Sequence, residues 1–185
     1  MSKRETLDRR LQRFEDIEAL RNLKHRYCTY CDGGYDADRL APLFTEDAIW
    51  DGGPLGYFSG RAAIHKFFVG CSKVVSFAIH HVTNSIIVVD GDRATGEWLL
   101  WEPMVFARSG EQAMWMAARY NDIYRRVDGE WRFAHVKLEL RMLSPYEEGF
   151  ADVFDSTGHL MRRFSFIEKL NSPAQVTEYV PMSAR

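Results

Sequence analysis

Three observations predict an α+β fold, with helices first and a meander of long, curved antiparallel strands behind them. Apolar residues recur at spacings of three and four through the first thirty or so positions, the signature of an amphipathic helix. From about Ser76 the period shifts to two, as in half-buried strands. Tight turns join the strand-like runs at Asp90-Gly91-Asp92, Arg108-Ser109-Gly110 and Asp128-Gly129. Strands joined this way pair antiparallel. Helices laid across the concave side of a bent sheet enclose a cone-shaped cavity.

The first helix carries Leu7, Leu11, Phe14, Ile17, Leu20, Lys24, Tyr27 and Cys31 on its stripe, with Thr6 as N-cap. Gly33-Gly34 ends it, because glycine accepts the left-handed conformation of a helix terminus. A short second helix runs from Asp36, its cap, to about Phe44, with Pro42 making its last turn irregular. Ala48-Ile49-Trp50 reads as a short strand, Asp51-Gly52-Gly53-Pro54 as a turn, and Leu55 to Ser59 as a second strand. A third helix, Arg61 to about Cys71, puts Ile64, Phe67 and Phe68 on one face. Four long strands follow: Ser76–Val89, Arg93–Ala107, Glu111–Val127 and Glu130–Leu143. At up to ~3.4 Å per residue, runs of this length must bend, and Gly96 and Pro103 are the candidate bulge or kink sites. The chain has 185 residues, a length that suits one domain over residues 1–143, followed by a C-terminal extension over 144–185. Weak helical character marks Met161 to Leu170.

Charge excludes one class of partner. With 24 Lys+Arg against 26 Asp+Glu the net charge is −2, so no basic footprint for nucleic acid covers the chain. The basic residues Lys3, Arg4, Arg9, Arg10 and Arg13 interleave with Glu5, Asp8, Glu15 and Asp16, which reads as a solvated helix face. Cys28 and Cys31 form a CxxC inside a helical pattern, with only Cys71 besides, so neither a disulfide scaffold nor a zinc site is indicated. The N-terminus has no apolar signal segment and no run approaches the ~20 apolar residues of a bilayer span, so the expectation is a soluble cytoplasmic protein without membrane association. Aromatics reach 14%, and this surface suits a cavity lining, an oligomer interface or plain core.

Five segments carry a family resemblance. They are Asp16 to Tyr27 followed by Cys31-Asp32-Gly33; Asp36 to Trp50; Gly60 to Ile64; His80-His81-Val82-Thr83-Asn84; and Arg119 to Asp122 with Asp128 to Arg132. In this order they resemble SnoaL-like proteins of the nuclear-transport-factor-2-like superfamily over roughly Asp16 to Arg141. The similarity is greatest to its cofactor-independent lyases, which include bile acid 7α-dehydratase, scytalone dehydratase and hexachlorocyclohexane dehydrochlorinase. The resemblance implies the cystatin-like cone and no metal or organic cofactor. It implies a lyase performing dehydration-type elimination or retro-aldol cleavage on a largely apolar, hydroxylated aromatic or polycyclic small molecule. It also allows an isomerase or cyclase, or a non-catalytic binding or accessory subunit such as a ring-hydroxylating dioxygenase β chain. A homo-oligomer is expected, a trimer before a dimer. The tail, with Phe150, Phe154, Phe164 and Phe166, would close the pocket or wrap a neighbouring subunit.

The resemblance places an acid/base pair at Asp32 and His80. Adjacent histidines on a regular strand face opposite ways, so one of His80 and His81 enters the cavity, and parity groups His81 with Phe77 and Ile79. Asp32 meets the unfavourable end of its helix dipole, which suits a carboxylate that has a proton donor beside it. Such a carboxylate fixes an imidazole tautomer and stabilises the imidazolium. Tyr27, also at a family position, lies about 140° around the helix from Asp32. It is either a core tyrosine or a donor to a developing oxyanion. Arg141 matches a functional arginine of the resembled lyases. Parity puts Trp131, Phe133, His135, Lys137, Glu139 and Arg141 on one face of the last strand, and Ala134, Val136, Leu138 and Leu140 on an ordinary core face. The catalytic candidates are therefore His80, Asp32, Tyr27 and Arg141. The substrate-binding candidates are Tyr30, Trp50, Tyr57, His81, Trp101, Tyr120 and His135. Asp122, between Tyr120 and Tyr124, reads as sheet structure.

Overall fold

The structure, a computed structural model, describes residues 6–107 and 110–150. The turn residues Arg108 and Ser109, and the tail positions Phe154, Met161–Leu170, Phe164 and Phe166, lie outside the described residues.

Helix α1 spans Leu7–Asp32, and the Thr6 hydroxyl accepts from the backbone N–H of Arg9. Its buried face begins at Asp16 and continues through Leu20, Leu23, Lys24, Tyr27, Cys28 and Cys31. Leu7, Leu11 and Phe14, predicted on the apolar stripe, are exposed, so burial of the helix starts only at Asp16. Asp16 anchors the docked part: it accepts from Arg126 at 2.7 Å and from the Trp131 indole at 3.1 Å. Helix α2, Ala37–Leu40, is capped by Asp36 and passes into a 3₁₀ turn over Ala41–Leu43, where Pro42 removes an N–H the α-helix would need. Helix α3 occupies Arg61–Cys71 and buries Ile64 and Phe68.

Seven strands form one sheet: β1 Phe44–Asp51, β2 Tyr57–Ser59, β3 Val75–Ala78, β4 His81–Asp90, β5 Arg93–Phe106, β6 Gln112–Val127 and β7 Glu130–Pro145. The order is β2-β1-β7-β6-β5-β3, with β4 also on β5. The meander pairs antiparallel as predicted, but β1 lies parallel to β7, which makes the sheet mixed. At the β6–β7 hairpin Asp128 and Gly129 both take positive φ, as a two-residue turn between twisted strands requires.

Two expectations about the strands need correction. The run Ser76–Val89 is not one strand, because it breaks at Ile79-His80. Opposite the break, between the β5 partners of Ala78 and His81, stand Glu102 and Pro103. Pro103 has no N–H to donate across the break, where its carbonyl accepts from the Ile79 N–H at 3.1 Å and one ladder bond is lost. Gly96 and Pro103 do not bulge the β5–β6 ladder, whose register is continuous from Arg93 to Phe106. The register shifts fall instead at Ala117/Ala118 and Ile123/Tyr124 on the β6–β7 pair, between Phe44 and Ile49 on the β1–β7 pair, and on the edges β3 and β4.

Beneath α1–α3 the concave face of the sheet supplies one core. Trp98, Leu100 and Met104 of β5, Met116, Tyr120 and Tyr124 of β6, and Phe133, Val136 and Leu138 of β7 pack there against Leu20, Leu23, Tyr27, Phe44 and Phe68.

Candidate active site

A cavity of about 310 Å³ opens between α3 and the turn at Leu55 and runs down to the middle of the sheet. Its walls are mostly apolar, with Trp50, Phe67, Phe68, Met104, Met116 and Leu138 prominent. Six polar side chains stand among them: Tyr27, Tyr35, Lys66, His80, Glu102 and Tyr120.

His80 owes its position to the strand break. Freed from the ladder, its backbone N–H donates to Asp32 Oδ1 at 3.0 Å, and the same oxygen meets ring Nδ1 at 2.6 Å. Two bonds to one carboxylate oxygen fix both the main chain and the ring. The Asp32 carboxylate can only accept there, so Nδ1 carries the proton and Nε2 keeps its lone pair while the ring is neutral. Nε2 stands 3.5 Å from Glu102 Oε2. The His80 side chain is 4% exposed and that of Glu102 0%.

Glu102 is the least compensated group in the site. Neither of its carboxyl oxygens has a hydrogen-bond partner among the described residues. Burial pushes its carboxyl up to about 7. The positive charge available on His80 opposes that rise, the Asp32 carboxylate adds to it, and the Tyr35 hydroxyl facing Glu102 lowers it. Glu102 therefore exchanges its proton near neutrality, beside a histidine whose other nitrogen is already held.

Tyr27 reaches the same space. Its hydroxyl oxygen accepts from Trp50 Nε1 at 3.1 Å, which leaves its own proton free to donate into the cavity. Burial raises its pKa well above the ordinary phenol value, so it stays protonated. Its ring meets those of His80 and Tyr120 edge-on, at centroid separations of 6.5 Å and 6.3 Å. Tyr35 follows the paired glycines at positive φ, a strained setting for a non-glycine residue, and its ring packs against His80 at 6.2 Å.

The structure thus brings together Tyr27, Asp32, Trp50, His80 and Tyr120. The remaining candidates stand elsewhere. Tyr30 is half-buried under the Arg39 guanidinium. Tyr57 is exposed on β2. His81 and Trp101, register partners, are exposed on the outer face, where Trp101 stacks on Trp115 at 5.2 Å. His135 and Arg141 do not line the cavity either. The physical reason is the pair of register shifts in β7. Between Phe133 and His135 the strand gains a residue against β6, so Trp131 and Phe133 face the core together with Val136 and Leu138, and His135 is turned away. Arg141 is the extra residue of the second shift, between the partners of Ala118 and Ala117, and is exposed. Phe77 and Ile79, grouped with His81, are exposed too, so the outer face of the sheet is itself partly apolar.

Sequence reasoning missed Glu102 and Tyr35. A signal for Glu102 was present: it is the lone carboxylate in the row Ala94, Gly96, Trp98, Leu100, Met104 and Phe106, which shares its parity on β5. Among the described residues no group of three His, Cys, Asp or Glu is placed to hold a metal ion, and no helix is long and apolar enough to cross a membrane.

Residues 12–137 match the SnoaL-like domain family. The chain belongs to that family. Its curved sheet with helices across one face is the cystatin-like, nuclear-transport-factor-2-like fold. Rv2910c of Mycobacterium tuberculosis, an uncharacterised protein, is 34% identical over 98 residues. That match takes in 51% of this chain and 65% of the relative, so the chain spans slightly less than two thirds of it. A solved structure from Novosphingobium aromaticivorans, described as an aromatic ring hydroxylase, is 27% identical with a TM-score of 0.66, over 73% of this chain and 96% of that one. Hexachlorocyclohexane dehydrochlorinase from Novosphingobium barchaimii superposes with a TM-score of 0.67 at 23% identity, over 73% of this chain and 92% of that one. This SnoaL-like chain therefore shares its fold with small-molecule enzymes.

Proposed function

We propose that this SnoaL-like protein is a cofactor-independent lyase that removes water from a small, largely apolar ring compound bearing a hydroxyl group β to a carbonyl. One observation carries the reading: His80 stands between two carboxylates on the wall of an apolar cavity, one holding its ring and the other exchanging a proton near neutrality. Base and acid of an elimination need that arrangement, two titratable groups whose environments differ.

In the proposed cycle His80 Nε2 takes the proton from the carbon beside the carbonyl, and Asp32 stabilises the imidazolium that results. Tyr27 donates its free O–H to the carbonyl oxygen as that oxygen gains charge. The electron pair left on carbon forms the new double bond and expels the hydroxyl group, which leaves as water with the proton of Glu102. The imidazolium then returns its proton to the Glu102 carboxylate across the 3.5 Å gap. Both groups are restored, and the products are the unsaturated carbonyl compound and one water.

A volume of about 310 Å³ sits at the lower end of ligand pockets and favours one or two rings over a larger polycycle. The fold shared with a dehydrochlorinase supports elimination chemistry, and the relative described as a ring hydroxylase supports a ring substrate. Exposed Phe77, Ile86, Val88, Leu99 and Ile123 support a homo-oligomer; the preference for a trimer over a dimer rests on the family resemblance, and light scattering reads it directly.

The test is dehydration of a panel of one- and two-ring β-hydroxy ketones, followed by mass spectrometry. Wild type should release the enone. His80→Ala should be reduced by roughly 10²–10⁴-fold and Glu102→Gln by a comparable factor. Undiminished turnover by His80→Ala would sink the assignment.

A further inference from the structure

Behind the cavity lies a charged pair that the cycle above does not use. Lys24 of α1 and Asp122 of β6 are both completely buried, and Lys24 Nζ donates to Asp122 Oδ2 at 2.9 Å. Burying an ion pair is expensive, and a pair of apolar residues of similar volume commonly serves stability as well or better. The pair is also incompletely satisfied, since Asp122 Oδ1 has no hydrogen-bond partner among the described residues.

Its orientation is specific. Lys24 Nζ lies 3.2 Å from the centroid of the Tyr120 ring and 5.0 Å from that of Tyr27, and both rings line the cavity. The Asp122 carboxylate points the other way. Oδ2 accepts from the Tyr124 hydroxyl at 2.9 Å, and that hydroxyl accepts from Trp98 Nε1 at 3.1 Å. The positive end of the pair therefore rests on the cavity phenols, and the negative end is tied into the sheet behind them. A cation against the face of a phenol draws electron density from the ring and strengthens its O–H as a donor. In a dry interior this field is poorly screened. Tyr120 lines the cavity beside Tyr27, whose hydroxyl accepts from Trp50 and has its own proton to give.

We propose that Lys24 is a positioning residue whose ammonium, held by Asp122 against Tyr120, makes the Tyr27–Tyr120 wall a binding site for an anionic oxygen. The substrates of the cavity are then compounds whose carbonyl or phenolic oxygen carries, or acquires, negative charge on that wall. The inference rests on the cavity being a small-molecule site and deepens the elimination reading, since an enolate is such an anion.

Binding tests it without turnover. The affinities of the full chain for phenol, para-chlorophenol, para-cyanophenol and para-nitrophenol are measured by calorimetry, with toluene as an oxygen-free control. For wild type, affinity should rise with phenol acidity, para-nitrophenol binding roughly tenfold tighter than phenol. Lys24→Met should remove most of that rise and leave toluene unchanged, and Tyr120→Phe should act in the same direction. If Lys24→Met does not fold, Lys24→Met/Asp122→Asn removes both charges and keeps an acceptor for Tyr124. A flat series in wild type, a rise that survives in the Lys24 variants, or an equal loss for every ligand including toluene would each overturn the proposal. An intact rise with no turnover of any ketone sinks the lyase reading alone, whereas turnover with a flat series sinks this inference alone.

Discussion

Replacing Glu102 by Gln should make the protein more stable, and more so the higher the pH. The carboxyl is completely buried and its titration is pushed from the ordinary value near 4.5 up to about 7, first by burial. Between those two values the folded protein holds a proton that the unfolded chain has released. Stability therefore falls as the pH rises through that window, and above pH ~7 the full cost of a buried carboxylate remains. The displacement corresponds to roughly 3 kcal/mol. Glutamine keeps the shape and never ionises, so it escapes this loss. Urea denaturation of wild type and Glu102→Gln between pH 5 and pH 8 isolates Glu102 together with its coupling to His80 and Asp32, because the titrations of distant groups cancel in the difference. The advantage of the variant should grow across the series towards roughly 3 kcal/mol. In thermal melts that is roughly 6–12 °C for a domain of this size. Parallel pH profiles would refute the reasoning, and with it the claim that Glu102 is protonated at mildly acidic pH.

Three further outcomes follow from the packing. Gly96→Ala should lower stability by about 1–3 kcal/mol in denaturant melts, since a Cβ there would stand 2.9 Å and 3.0 Å from the Tyr124 ring and hydroxyl. Asp16→Ala should cost roughly 2 kcal/mol at neutral pH, as Arg126 and the Trp131 indole lose their acceptor. Burial tends to raise the Asp16 carboxyl, but bonds from Arg126, Trp131 and Gln12 win and hold it below the ordinary value. Its contribution is therefore present above that value and lost as the pH falls through the lowered one, so wild type and variant should converge in acid. Phe68→Ala, at a side chain that is both core and cavity wall, should cost about 3–5 kcal/mol and widen the pocket, read from melts and from binding of bulkier ring compounds.

The helices were legible because their signals are local. Thr6, Asp36 and the Gly33-Gly34 pair bound their elements where capping chemistry put them. The hairpins were legible for the same reason. The face presented by each strand residue was legible on β5, where alternation runs unbroken from Arg93 to Phe106, and illegible on β7. There two register shifts reverse the parity, and no residue type in Phe133-Ala134-His135 or Leu140-Arg141-Met142 announces them. The parallel pairing of β1 with β7 is a contact between distant segments and leaves no local mark. Within the site, Asp32 and His80 were reached through family resemblance. The strand break that orients His80 lies opposite Pro103 on the neighbouring strand, a residue whose sequence context points only to a kink in its own strand.

Lys24 and Asp122 are separated by 98 residues. During synthesis α1 is complete long before the strand bearing its counter-ion exists. Until that strand arrives, docking α1 would bury an ammonium with no partner, at a cost of several kcal/mol. Early seating on a partial sheet is therefore disfavoured for the helix that carries Tyr27 and Asp32, and the cavity, whose wall includes Leu138 of β7, forms only after β6 and β7 are in place. A chain truncated before Asp122 should keep α1 undocked, however much of the helix it retains.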